Sequence, residues 1–305
     1  MSSHAITIHN YKILHKIGQG GFSSVYKAQH KTNHKIVALK IEKTKDSKSI
    51  RHESKIMSYL NRELRSNIIP TLYWYGTFGK MVGFASTFYS TSLVELLSND
   101  LEISSKCDIC NQLINIMNML HGVFVIHCDI KPENFMINLT NDSIKLVAID
   151  FGMSRLFVES RDTNAHLPNK MSDSLFGTPK YTSYNIHLGN KYSRRDDLIS
   201  VGYLMMTVFD IALPWSALPV IMADNNTSHG QRLLSHCDQS QRLLSHCDHP
   251  HNLYRRDLKM CENLVEYLRK TDFADMLILY FTDVYALKYD EAPNYTHLAN
   301  YFIIK

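Results

Sequence analysis

The chain has 305 residues, with 33 Lys and Arg against 29 Asp and Glu, for a formal net charge of +4. Hydrophobic residues make up 45% and charged residues 20%, a balance that excludes a disordered, collagen-like or disulfide-scaffold chain. The length allows one large domain or two lobes, each with a sizeable core, and four excess positive charges do not by themselves argue for nucleic acid or a membrane surface.

In chain order, Met1 to Asn10 lacks a basic start followed by an apolar core, so no signal peptide is expected there. Residues 11–17, 25–29 and 35–41 carry β-branched or aromatic side chains between Gly- and Asn-containing turns and are predicted strands. Residues 49–60 place Ile50, Ile56, Met57 and Leu60 at helical spacing. Two more strands are predicted over 71–78 and 81–89. Beyond them the pattern turns helical. Residues 104–121 put Ile109, Leu113, Ile116, Met117 and Leu120 on one stripe, with Ser104 and Ser105 as candidate caps. Further helices are predicted over 194–209, 253–269, 274–286 and 295–303. The most apolar stretch, 201–222, is interrupted by Asp210, Pro214 and Pro219, so a buried core helix is expected rather than a membrane span.

A small strand-rich lobe thus precedes a larger helical one. One segment stands apart: QRLLSHCD at 231–238 recurs at 241–248. Two copies do not make a solenoid, and the polar surroundings suggest a duplicated surface insertion over about 223–250. Six cysteines, at 107, 110, 128, 237, 247 and 261, are too sparse for a disulfide framework. A reducing, intracellular setting in cytoplasm or nucleus is expected.

Three motifs carry chemistry. Ile17-Gly18-Gln19-Gly20-Gly21-Phe22-Ser23-Ser24-Val25 lies between two predicted strands, where glycines let backbone amides approach phosphate oxygens. Alone it is weak, since ordinary turns share it and Ser23 replaces the third glycine of a full G-x-G-x-x-G. Val37-Ala38-Leu39-Lys40 ends an apolar strand on a lysine that needs an anionic partner, and Glu53 on the following helix is the candidate. A surface lysine is the plainer reading of that position. The third motif is sharper: His127-Cys128-Asp129-Ile130-Lys131-Pro132-Glu133-Asn134 precedes Ile149-Asp150-Phe151-Gly152. Phosphoryl transfer needs this inventory: a carboxylate to orient and deprotonate a hydroxyl, a cation for the moving group, and oxygen ligands for magnesium. The order of all three motifs is highly specific.

With these residues in place, the sequence resembles the eukaryotic protein kinases from about Tyr11 to Phe302. The resemblance implies an α+β, bilobal protein kinase-like fold with a small antiparallel-sheet N-lobe carrying one helix and a larger, mainly helical C-lobe, the domain running over 11–305 with the lobes meeting near residue 89. It implies ATP and Mg2+. Lys40 would bind the α/β-phosphates and pair with Glu53; the glycine segment and Ala38 would cover the nucleotide. Asp129 would be the catalytic base, Lys131 would steady the phosphoryl group, and Asn134 and Asp150 would hold magnesium. Lysine at 131 is similar to the serine/threonine kinases.

The segment Gly177-Thr178-Pro179-Lys180-Tyr181-Thr182-Ser183-Tyr184-Asn185, followed by Ser193-Arg194-Arg195-Asp196-Asp197, looks like casein kinase I and its relatives. His52-Glu53-Ser54-Lys55-Ile56, His166-Leu167-Pro168 and Tyr289-Asp290-Glu291-Ala292-Pro293 match the same family. Asp197 would brace the catalytic-loop backbone. Arg155 and Lys180 would read acidic or phosphorylated substrate residues, and Ser86, or else Thr87, would stand at the gatekeeper position behind adenine.

Departures qualify the likeness. Cys128 stands where an arginine usually precedes the catalytic Asp; a thiol cannot pair with a phosphate as a guanidinium does. Residues 216–223, basic in the family, hold no Lys or Arg, which predicts a weak preference for primed substrates. The shortness, the departures and the duplication are compatible with a divergent viral or parasite member.

The expectation is a monomeric enzyme acting on Ser/Thr of protein substrates, without direct nucleic-acid or membrane contact. A pseudokinase scaffold is the rival, since fold alone does not establish activity; a small-molecule kinase is a second. Zinc is disfavoured. Cys107 and Cys110 form a CxxC within a helix with no second pair at zinc-site spacing, and duplication explains His236-Cys237 and His246-Cys247 without metal.

Overall fold

The structure, a computed structural model, describes residues 6–20, 23–44, 48–140, 143–160, 162, 164–170, 177–216 and 255–303. Gly21, Phe22 and the duplicated segment with its His and Cys residues lie outside the described residues. The chain forms two compact units. One comprises residues 1–105, 115–127 and 132–156; the other comprises 106–114, 128–131 and 157–305.

The first unit is built on a six-stranded antiparallel sheet of β1 (Thr7–Ile8), β2 (Tyr11–Gln19), β3 (Ser23–His30), β4 (Ile36–Glu42), β5 (Leu72–Phe78) and β6 (Met81–Thr87). Its spatial order is β1-β2-β3-β4-β6-β5. Side chains alternate across a strand, so Val37, Leu39 and Ile41 of β4 join Tyr11, Ala28 and Ala85 in one apolar core. Ala38 and Lys40 therefore face the other way. The register sets Lys40 opposite Val25 and Phe84, and Ala38 opposite Ser86. The predicted helix is α1 (Lys48–Leu64), which buries Ile50, Ile56, Met57 and Leu60 along with Glu53.

Two short sheets complete this unit. One runs β10 (Ser143–Ala148), β9 (Phe135–Thr140), β7 (Thr91–Ser92); the other pairs β11 (Arg155–Leu156) with β8 (Val125–Ile126). Helix α2 (Leu93–Leu97) was not anticipated, although Ser92-Leu93-Val94-Glu95 spells a capping box. The Glu95 amide donates to Ser92 Oγ, and the Ser92 amide donates to the Glu95 carboxylate at 2.7 Å. Helix α3 (Ile103–Gly122) follows prediction, but not in its cap. Glu102 is the N-cap and makes no side-chain cap bond, and Ser104 and Ser105 already lie inside the first turn.

The second unit centres on α5 (Arg194–Val208), which follows the single-turn α4 (Tyr184–His187) and is buried almost throughout. A helix buried on nearly all faces, here with Asp196 and Asp197 among the buried residues, belongs inside a bundle. A helical turn over 255–258 precedes α6 (Cys261–Leu268), and α7 (Ala274–Ala286) and α8 (Tyr295–Asn300) follow it in this unit. Gly202 lets α7 approach α5: a Cβ there would stand 2.5 Å from the Phe281 ring. Tyr203 packs edge-on to Trp215 with centroids 4.7 Å apart.

α5 ends at Val208, within one residue of its predicted limit and just before Asp210, which takes a left-handed φ of 58°. Two predicted helices are shorter than expected. The helix predicted over 295–303 ends at Asn300. The helix predicted over 253–269 breaks at Met260, whose extended backbone caps α6. Among the described residues, no helix is long and apolar enough to cross a membrane.

Candidate active site

In the first unit, the alternation of β4 delivers Lys40 onto the face that carries Val25, Ala38 and Ser86. Its Nζ bonds Glu53 at 2.7 Å and Asp150 at 2.9 Å. Glu53 sits on the buried face of α1, with a side chain only 3% exposed, while Asp150 is 43% exposed. Burial alone would push the lysine pKa down, but the two carboxylates outweigh it and hold Lys40 charged, well above its ordinary value. Burial pushes Glu53 up to about 7 against the pull of Lys40, with the like charge of Asp150 adding to the rise.

Asp150 has a left-handed φ of 62°, a conformation that costs a non-glycine residue free energy and clusters at functional sites. The chain around it is pinned at several points. The Ile149 amide donates to the Asn134 carbonyl at 2.9 Å. His127 approaches the Ile149 carbonyl at 3.1 Å and packs on Phe151, with centroids 5.2 Å apart. Ser154 Oγ donates to the His127 carbonyl, and His52 of α1 bonds the Ser154 carbonyl at 2.7 Å. Asn134 is buried in a short 3-10 turn. Asn134 and Asp150 offer hard oxygen donors of the kind magnesium accepts, and magnesium typically takes only one or two protein oxygens besides phosphates and water. The described residues gather no cluster of three His, Cys, Asp or Glu side chains that could cage a metal.

The glycine segment bridges β2 and β3. Gly18 and Gln19 pair with Val25 and Ser24, the Gly20 amide donates to the Ser23 carbonyl at 2.8 Å, and Ser24 Oγ donates to Gln19. Ile17 is exposed. Ser86 is buried at 5% exposure directly across from Ala38. Thr87 instead bonds the Tyr73 hydroxyl at 2.9 Å. Arg155, half-buried in β11, pairs across to Ile126.

In the second unit, Asp129 is held by Thr178, whose amide and hydroxyl donate to Oδ1 at 3.0 and 2.7 Å. Lys131 bonds Asp129 Oδ2 at 2.7 Å and Thr178 Oγ1 at 3.0 Å. Cys128, buried and at φ 66°, gives its amide to Asp197 Oδ1 at 2.9 Å. Gly177 is required beside it: its φ is 87°, and a Cβ would meet the Tyr192 hydroxyl at 2.6 Å and the Cys128 carbonyl at 2.8 Å. Lys180 is exposed, its Nζ 5.3 Å from the centre of the Tyr181 ring.

Sequence reasoning gave no role to Thr178, His52 or Lys259. Thr178 stood inside a quoted motif; nothing around Lys259 marks it. Cys107 and Cys110 are buried in α3, and burial raises both thiols, that of Cys110 strongly, the opposite of what a metal thiolate needs.

A family model described as protein kinase domain matches residues 11–237.

Proposed function

Because the chain belongs to the protein kinase domain family, we propose that it is an active serine/threonine protein kinase of casein kinase I type that uses ATP and Mg2+. The observation that carries this reading is the coupling of Lys40 to both Glu53 and Asp150. That pairing is what phosphoryl transfer asks of a kinase; a nucleotide-binding pseudokinase scaffold is the alternative, and such a protein commonly loses one of Lys40, Glu53, Asp129, Asn134 and Asp150, all of which are present here.

Bound Mg-ATP supplies the transferable phosphoryl group and the charge that offsets its negative oxygens. Lys40 orients the α/β-phosphates and keeps its charge through its two carboxylate partners. Asn134 and Asp150 would hold magnesium through their side-chain oxygens. Asp129 accepts the proton of the substrate hydroxyl and aims its oxygen, and Lys131 offsets charge on the group in transit. The glycine segment, Ala38 and Ser86 would line the nucleotide site, with Ser86 as the small residue at the gatekeeper position. Arg155 and Lys180 face acidic or phosphorylated residues of the protein substrate. Because Cys128 is neutral, the preference for primed substrates is weak.

We take residues 11–305 as one catalytic domain, its N-lobe ending near residue 89 and its C-lobe carrying the insertion over about 223–250, and the protein as a monomer of the cytoplasm or nucleus.

The test is transfer of the ATP γ-phosphoryl to casein and to the chain itself, with Asp129→Asn as control. The wild-type rate should exceed the variant's by about a thousandfold, within the range that a positioned base contributes. Equal rates would establish the scaffold reading instead.

A further inference from the structure

Lys259 is wholly buried. Among the described residues no carboxylate pairs with it, and the charged neighbour that bears on it is another cation, Arg255. Burying an amine is costly unless its hydrogen-bonding capacity is used, and here backbone carbonyls use it. Nζ donates to the Pro179 carbonyl at 2.9 Å and to the Thr182 carbonyl at 2.5 Å, with His187 Nε2 at 3.3 Å. Two donated bonds are within the capacity of either protonation state of the amine. The rings of Tyr203 and Trp215 flank it, each centroid 5.0 Å from Nζ. Tyr285 fixes its backbone by donating to the Lys259 carbonyl at 2.6 Å.

Trp215 takes part in the same grip: its Nε1 donates to the Lys180 carbonyl at 2.7 Å. Two side chains thus hold three carbonyls within four residues of chain. That stretch begins one residue after Thr178, and Thr182 is tied back to the Thr178 carbonyl through both its amide and its hydroxyl at 3.0 Å. Thr178 in turn grips Asp129 and Lys131.

We propose that Lys259, together with Trp215, is a positioning clamp that fixes Thr178 and, through it, the Asp129 carboxylate and the Lys131 amine. The inference rests on the reading of Asp129 as catalytic base, but the clamp has a consequence independent of activity. Lys259→Met keeps the volume and removes the donors. Amide hydrogen exchange over residues 177–188 should then quicken by about tenfold or more, as expected for local opening of a released segment.

In the same variant kcat should fall by about tenfold or more while the KM for ATP stays within about twofold, because a small misplacement of a reacting group is costly to the chemical step. Lys259→Arg, which keeps donors, should restore part of the loss. A variant that merely unravelled the unit would not show that split or that rescue. If Lys259→Met does not fold, Trp215→Phe decides: quicker exchange over 177–188 with reduced kcat supports the clamp, and unchanged exchange and kcat overturn it. Unchanged exchange and kcat in a folded Lys259→Met protein also overturn it. Were the wild type no more active than Asp129→Asn, the kinase reading would fail, and the exchange measurement would still judge the clamp.

Discussion

The two units solve the problem of a buried charge in opposite ways. Around Lys40, charge meets charge: one ammonium sits between two carboxylates. Around Lys259, the partners are neutral: two carbonyls, an imidazole and two aromatic faces. On the kinase reading proposed above, the first arrangement presents a cation to anionic phosphate oxygens, so its charge has to persist. The second places donors where a loop has to be held still, so only the hydrogen bonds matter. Opposite charges serve the chemistry, and backbone carbonyls serve the geometry.

The largest expected effect comes from removing the charged partner. Lys40→Met should lower kcat/KM by about a hundred- to a thousandfold, the scale on which one electrostatic contact to the transition state is worth. Steady-state kinetics measures it. Stability should respond less. Breaking a buried ion pair usually costs about 3–5 kcal/mol because a bare charge is left behind. Burial already holds Glu53 at about 7, so once Lys40 is gone the carboxyl takes up a proton instead. Urea unfolding at pH 8, where the wild-type Glu53 is ionised, should then show a loss below about 2 kcal/mol. A full 3–5 kcal/mol loss would mean that Glu53 stays ionised and that the two regions differ less than stated.

The neutral arrangement carries its own pH signature. His187 lies beside Lys259, with Arg255 and Arg256 also bearing on it, and burial first, then these cations, push it down to about 3. Its value in the unfolded chain is the ordinary 6.5. Between those values the unfolded chain binds the proton and the folded chain does not, so stability is full above pH 6.5 and is lost as the pH falls toward 3. Two pH units below 6.5, the loss is about 2–3 kcal/mol at roughly 1.4 kcal/mol per unit. Lys259, itself pushed down by burial and Arg255, acts with the same sign. Urea unfolding at pH 7 and pH 4.5 should reveal this slope in the wild type, and His187→Asn should flatten it. A parallel slope in the variant would place the acid sensitivity elsewhere.

The same contrast decides what could be read from the sequence. Strand alternation and motif order brought out Lys40, Glu53, Asp129, Asn134 and Asp150, because residues that meet charged ligands recur as short patterns with fixed spacing. Glu53 was legible as a partner because it stands on the buried stripe of a periodic helix. Lys259 was not, because a side chain that bonds carbonyls some 80 residues away in sequence leaves no local pattern. The same holds for His52, which reaches the Ser154 carbonyl. Helix α2 is a different kind of omission, since its capping box was visible in Ser92 and Glu95. The end of α5 was legible, because Asp210 and Pro214 close its apolar run one residue beyond the predicted limit. The left-handed backbones of Cys128 and Asp150 could not be read from residue type, because the surrounding structure imposes them.

The smallest expected effect concerns Cys128. In kinases switched by activation-segment phosphorylation, an arginine beside the catalytic Asp receives the phosphate and orders the segment. Here that position holds a buried thiol, which cannot form a bidentate, charge-assisted pair with phosphate. The order is supplied without it. Asp197 takes the Cys128 amide, Thr178 holds Asp129 through two bonds, and carbonyl bonds from Lys259 and Trp215 hold the following stretch. Since these hydrogen bonds already hold the loop, phosphatase treatment should change the rate of casein phosphorylation by less than about twofold, because the neutral thiol at 128 cannot pair with an added phosphate as a guanidinium does. A chain inactive after phosphatase treatment and restored by phosphate on its activation segment would show that the carbonyl bonds from Lys259 and Trp215 do not suffice to order this stretch, and the contrast with Lys40 would fall with it.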